Sequence, residues 1–334
     1  MLVKYEELKA EFKRILVSRN MEEERAEVVA KLFADNDLDG VHTHGSIRFP
    51  SFIKSIDKGR INIEGEPRRL SGFKAYEVWD GQLGIGNLNA KLAMDRAMEL
   101  ADEYGIGLVA LKHTNHCMRG GSYAWQAADQ GYVSISWTNS FSLMPMWGSK
   151  ENNIGNNPLV LGVPREDGRH LVVDTALSQY SYGKLEEYRI KGKELPVYGG
   201  YDLEGNLTKD PAKIEESKRV LPIGYWKGSS LAFILDMVGL ALTAGKSTAM
   251  IDSEGTGNFD LNQVFIAIDP AKNLDGEELE RLIDYSLENF KDVEPVDPAR
   301  PVRYPGERAV DVRARNLREG IELEDSVWEK LRSL

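Results

Sequence analysis

Apolar residues recur with a helical period at both ends of the chain and with a strand-like period between them. Residues 5–17 and 21–34 predict two amphipathic helices. The second carries Ala26, Val29, Leu32 and Phe33 on one face and three glutamates in its first turn, where they favour the helix dipole. Over 46–58, Phe49, Phe52, Ile53 and Ile56 fall at i, i+3, i+4 and i+7, which predicts a third helix with one buried stripe and Arg48 off it. A helical N-terminal lobe of roughly 60 residues follows. The texture then changes. Residues 76–80, 106–111, 133–137, 159–163, 171–174 and 264–268 read as strands. Gly81, Gly84 and Gly86 suggest a flexible loop, Asn89 caps a helix closed by Gly105, and Ser122 caps a short one ending at Gly131. Residues 231–244 are apolar nearly all round and predict a central buried helix whose Asp236 needs a partner. An amphipathic helix over 277–290, a strip punctuated by Pro295, Pro298, Pro301 and Pro305, and two more helical stretches complete the chain. Strand and helix alternate enough for a mixed α/β lobe, too irregularly for a run of βαβ units.

Composition narrows the function classes. The 334 residues hold 53 acidic and 42 basic side chains, a net charge of −11, with no basic tract, which argues against a nucleic-acid partner. Cys117 is the single cysteine, so intramolecular disulfides and cysteine-ligated metal clusters are excluded and a reducing compartment fits. The first residues read as polar and helical rather than as a signal peptide, and no apolar run reaches membrane-spanning length. The expectation is a cytoplasmic globular protein without a membrane partner.

The densest chemistry lies in 40–50, where His42, His44 and Arg48 fall within seven positions. An imidazole four residues from a guanidinium suits an acid/base group beside a carboxylate clamp. A capping histidine with a surface arginine would give the same local pattern. Four of the five histidines form two tight pairs, His42 with His44 and His113 with His116. Neither has the i, i+4 spacing of a helical zinc site, nor a glutamate between them, and no metal is expected. Arg119 adds a second guanidinium near His116, and Asn139 sits where a strand ends. Gly155-Asn156-Asn157-Pro158 reads as a turn. The cluster Gly81, Gly84 and Gly86 lacks Rossmann spacing. A better anion cradle is Trp226-Lys227-Gly228-Ser229-Ser230, entering a helix, although the same residues make an ordinary N-cap.

With these residues in view, the chain resembles the malate/L-lactate dehydrogenase family of NAD(P)-dependent reductases that lack a Rossmann fold. The markers are Thr43-His44-Gly45 with Arg48, Thr114-Asn115-His116, Gly155-Asn156-Asn157-Pro158, Tyr182-Gly183-Lys184, Gly224-Tyr225-Trp226-Lys227-Gly228 and Pro305-Gly306-Glu307. The resemblance spans essentially the whole chain. It implies an α/β fold in which a non-Rossmann, mostly antiparallel cofactor domain (71–274) is inserted into a helical domain built from both chain ends (1–70 with 275–334), and a homodimer. It implies an NADH-dependent reductase of 2-oxo sugar acids, with His44 as proton donor. Arg48 and His116 are the implied substrate residues, and Arg119 and Asn139, from their places in the sequence, are expected to join them. Cofactor contacts would run along His170, Leu171, Val172, Val173, Asp174, Thr175 and Ala176, then Trp226 and Lys227, then Gly306, Glu307 and Arg308. Arg308 could favour a 2′-phosphate and hence NADPH. Malate, lactate, ureidoglycolate or a cyclic imino acid are alternative substrates within the family. A non-enzymatic nucleotide- or metal-binding protein is the alternative outside it.

Overall fold

The computed structural model describes all 334 residues. The chain opens with β1 (Leu2–Val3), α1 (Tyr5–Val17) and α2 (Glu23–Leu38). Glu22 caps α2 by accepting from the Glu24 and Arg25 N–H groups, adding to the acidic first turn that the sequence shows. A 3-10 turn at His42–His44 precedes α3 (Phe49–Asp57), so the helix expected from residue 46 starts three residues later. The stripe survives the shift. Phe49, Phe52 and Ile53 are buried, and Phe12, Phe33 and Phe49 form an aromatic knot with centroids 4.3 and 4.9 Å apart.

The middle of the chain supplies β2 (Arg68–Phe73), β3 (Tyr76–Asp80), α4 (Gly86–Tyr104), β4 (Ile106–Thr114), α5 (Gly121–Ala128) and β5 (Val133–Thr138). Two short strands, β6 (Met144–Pro145) and β7 (Asn152–Ile154), lead to β8 (Leu159–Val163) and β9 (Leu171–Thr175). Next come α6 (Tyr182–Ile190), β10 (Gly200–Tyr201), β11 (Leu207–Thr208), α7 (Pro211–Ser217), α8 (Trp226–Thr243), α9 (Thr248–Glu254) and β12 (Leu261–Ile268). The end of the chain holds α10 (Gly276–Lys291), α11 (Glu307–Glu319), β13 (Ile321–Glu322) and α12 (Asp325–Arg332).

Seven strands form one sheet in the order β2-β3-β4-β12-β5-β8-β9. Only β3 and β4 run parallel; every other neighbour is antiparallel. This is the mostly antiparallel, non-Rossmann α/β sheet expected. On one face α4 and α5 pack through Ala93, Ala97, Tyr123 and Ala127 against Val109, Leu111 and Phe265. α8 covers the other face, with Trp137 Nε1 donating to the Leu235 carbonyl at 3.0 Å.

The two chain ends share a core. β1 pairs with β13, and Val3, Phe12, Phe33 and Phe49 pack in one cluster with Ile321, Trp328 and Leu331. α10 has no buried residue and docks on the β8–β9 end of the sheet, where Arg165 meets Glu280 and Asp284, each at 2.7 Å.

Two local expectations change. The glycine loop at 81–86 is a packed turn, because a Cβ on Gly86 would lie 2.3 Å from the carbonyl oxygens of Asn115 and His116. Asn115 Nδ2 ties the turn down through Leu83 and Gly84. α8 is not buried all round. Ala232, Asp236, Gly239 and Thr243 face the sheet, small enough to let the helix lie close, whereas Phe233 and Ile234 are 44% and 51% exposed. Asp236 does find partners: it accepts from Asn139 Nδ2 and from the Thr248 N–H, both at 2.9 Å.

Candidate active site

The end of α2 grips the turn that carries His44 and Arg48. Asp37 is fully buried; its Oδ1 meets His42 Nδ1 at 2.7 Å and accepts from Ser46 Oγ at 2.7 Å, and its Oδ2 accepts from the Ser46 N–H at 2.6 Å. Asn36 Nδ2 donates to the His44 carbonyl at 3.0 Å. These four bonds shape a turn that is 3-10 at its start rather than α-helical. His44 and Arg48 therefore do not share a helix face, yet both point into one cleft of about 780 Å³ between the terminal helices and the sheet. His116, Arg119, Asn139, Asp174 and Ala176 line the same cleft, together with Gly306 and Arg308.

Neither histidine pair stays together chemically. His42 turns back to Asp37, and His113 lies between Asp80 and Asp260, 3.6 and 3.9 Å away, beside a separate surface pocket. The members left over meet across the cleft: the His44 and His116 rings are 6.1 Å apart and inclined by only 13°. His116 Nδ1 accepts from the Met118 N–H at 3.0 Å, which assigns the proton of the neutral ring to Nε2 as a donor. Burial first, then the charge of Arg48 and the neighbouring His44, pushes His116 down to about 3. His44 is also held below its ordinary value, by burial, with the charge of Asp174 opposing the shift and those of Arg48 and Arg119 adding to it. Burial lowers Arg48 as well.

Two other expected substrate residues are already occupied. Arg119 is paired with Asp39, whose other oxygen accepts from Arg313 Nε at 2.6 Å. Asn139 donates to Asp236 and to the Lys246 carbonyl and accepts from the Asn262 N–H, so both of its N–H groups are taken. Both shape the wall. Asn157 exceeds turn chemistry in the same way, bridging the Ser140 N–H to the Ala232 carbonyl.

The expected cofactor residues divide three ways. Val172 and Asp174 on β9, and Ala176 just past its end, line the cleft, as strand alternation requires; Leu171, Val173 and Thr175 do not. Asp174 also accepts from the Gly121 N–H at the start of α5. His170 is buried, its Nδ1 accepting from the Arg165 N–H and its Nε2 lying 3.0 Å from Asp129, so it braces the β8–β9 turn. Gly306, at φ +98°, seats the start of α11 against β9, where a Cβ would lie 2.8 Å from the His170 carbonyl; the Val172 N–H donates to Pro305. Glu307 is turned away and pairs with Lys291, while Arg308 projects into the cleft. Trp226 and Lys227 start α8 outside the residues that line this cleft, and a Cβ on Gly228 would lie 2.0 Å from the Ile223 carbonyl, so only glycine fits there. Trp125 also lines the cleft, its ring 5.5 Å from that of His170; like Asp37 and Asp39, it had no motif to reveal it, and all three take their places through tertiary contact.

The profile of the malate/L-lactate dehydrogenase family matches residues 3–332. The chain belongs to this family. It is an oxidoreductase of the dehydrogenase class. Its relatives include the 2,3-diketo-L-gulonate reductase of Mannheimia succiniciproducens, 47% identical with all of both chains covered. Among solved structures it is similar to sulfolactate dehydrogenase from Methanocaldococcus jannaschii, at 30% identity and TM-score 0.89, covering all of this chain and 96% of that one. Malate dehydrogenase from Entamoeba histolytica aligns at 25% identity and TM-score 0.94, with the same coverage. Dehydrogenases of this family depend on a nicotinamide dinucleotide. No single helix is long and apolar enough to cross a membrane.

Proposed function

We propose that this protein reduces the C2 ketone of a 2-oxo sugar acid, of which 2,3-diketo-L-gulonate is the leading candidate, with His44 as proton donor. The observation that carries this reading is the convergence of His44, His116 and Arg48 in one cleft, far larger than a keto acid needs, between two structural units. The relatives' name supplies the substrate.

The cleft suits a dinucleotide: it has the volume, a glycine turn that opens a helix into it, and a lining tryptophan whose buried Nε1 has no protein partner. Val172, Asp174, Ala176, Gly306 and Arg308 would hold it. When bound, the reduced nicotinamide supplies the hydride. Arg48 takes the substrate carboxylate with its fork, strengthened by partial removal from water. The Nε2–H of neutral His116 orients the reacting carbonyl, and protonated His44 gives its proton to the oxygen as charge develops there. Asp174 supports that protonated state, since its carboxylate favours the imidazolium.

A helical unit of 1–70 with 275–334 and a cofactor unit of 71–274 describe the division we favour, with α10 crossing between them. The exposed apolar face of α8 (Phe233, Ile234, Val238) is the surface we assign to a homodimer. A single buried thiol and the lack of a spanning helix suit the cytoplasm.

The test follows the loss of reduced-nicotinamide absorbance with 2,3-diketo-L-gulonate and with a panel of 2-oxo acids. His44→Ala should cut kcat by about 10²–10⁴ while cofactor affinity holds. Full turnover in that variant, or lost cofactor binding, would remove His44 from this role.

A further inference from the structure

A second cavity, of about 730 Å³, adjoins the cleft and shares Gly40 and Arg308 with it. It lies between the proline-punctuated strip, the exposed face of α11 and the turn at Gly40–His42. Its walls hold Arg300, Arg303, Arg308 and Arg315 against a single carboxylate, Asp311, in a chain whose acids outnumber its bases by 53 to 42. Asp311 is already shared by Arg303 and Arg169, at 3.2 and 3.1 Å, and Arg300 leans on Asp297 outside the cavity. That leaves two guanidinium groups without a counter-charge. Arg308 makes no ion pair, and Arg315 donates only to the neutral amide oxygen of Asn316. Seven residues apart on α11, both face the cavity. Arg308 also sits in the first turn of α11, where a cation opposes the helix dipole and an anion would relieve it.

Two unpaired guanidinium forks, that of Arg308 in the first turn of α11 and that of Arg315 two turns further on, suit a dianionic phosphate, whose oxygens can engage both, better than a neutral hydroxyl. We propose that this basin seats a phosphomonoester carried on the far end of the dinucleotide in the cleft, the 2′-phosphate of NADPH, and that Arg308 and Arg315 make the chain prefer NADPH to NADH. The inference rests on the reductase reading above.

Binding, not turnover, tests it. Calorimetry with adenosine 2′,5′-bisphosphate and adenosine 5′-monophosphate should show the bisphosphate binding about tenfold or more tightly, as an added charged hydrogen bond implies. Arg315→Gln should remove most of that gap without weakening the monophosphate, and Arg308→Gln should remove it too. Inorganic phosphate should compete with the bisphosphate and with NADPH far more than with NADH. Equal affinity for NADPH and NADH in the unaltered protein, a gap that survives both substitutions, or phosphate that binds without competing would each overturn the assignment. The last result would mark an independent anion site. Failure to bind either nicotinamide dinucleotide would be a different result, and would bring down the reductase reading itself.

Discussion

Asp37→Asn is the most informative single change, because it alters charge and keeps shape. The carboxylate serves three partners: one oxygen faces His42 and Ser46 Oγ, and the other takes the Ser46 N–H at 2.6 Å. Asparagine offers one acceptor oxygen. If it keeps His42 and the serine hydroxyl, its NH₂ is turned on the Ser46 N–H and two donors face each other. A buried donor left without a partner costs about 1–3 kcal/mol. One effect works the other way: burial raises the pKa of Asp37, so part of the ion's desolvation cost is recovered when the charge goes. The net loss should be about 1–3 kcal/mol, a fall of about 1–4 °C in Tm for a chain of this size. Activity should suffer more than stability, since His44 and Arg48 ride on this turn and a misplacement of about 1 Å can cost about 100-fold. Thermal unfolding by circular dichroism and steady-state kinetics read the two effects separately. Ser46→Ala, which keeps the backbone bond, should show a smaller version of both. A normal kcat/KM in Asp37→Asn together with a lowered Tm would show that the array only braces the fold. No change in either would refute the hydrogen-bond argument.

Arg48→Lys should raise KM for the 2-oxo acid about tenfold or more, because a point charge cannot reproduce the fork; an unchanged KM would dismiss the clamp. The proposed acid role requires protonated His44, whose pKa burial lowers, so kcat/KM for reduction should fall as pH rises through a value below the ordinary 6.5 and the reverse reaction should rise. His116, held at about 3, stays neutral over that range and adds no inflection. A reduction rate independent of pH from 5 to 8 would contradict the acid role (roughly the interval over which an unperturbed histidine titrates). The proposed homodimer predicts two chains per particle by sedimentation or light scattering and one for Ile234→Glu; an unaltered protein that is monomeric would remove the dimer, and a variant that stays dimeric would move the interface away from α8.

What the sequence made legible follows from how local the signal is. α1 runs over the residues its periodicity marks, and β8 does too, because each buries a face by its own repeat. The site is less local. The histidines read as two adjacent pairs separate in the fold, which alone brings the His44 ring to 6.1 Å from that of His116. The grip on residues 42–46 comes from the last turn of α2, where Asn36 and Asp37 look like ordinary helix-end polar residues. Arg119 and Asn139 satisfy every compositional rule for a substrate contact, yet Asp39 in one case and Asp236 with the Lys246 carbonyl in the other claim them. α8 carries the same point further. Its sequence is apolar all round, which says that every face avoids water and does not say which neighbour covers each face. The sheet covers the side built from Ala232, Gly239 and Thr243, whose small size permits close approach; the larger Phe233, Ile234 and Val238 lie on the side the single chain leaves uncovered. Small residues toward the sheet and large ones away from it fit a helix that lies between two partners, and that division is why the proposed homodimer is placed on this face of α8.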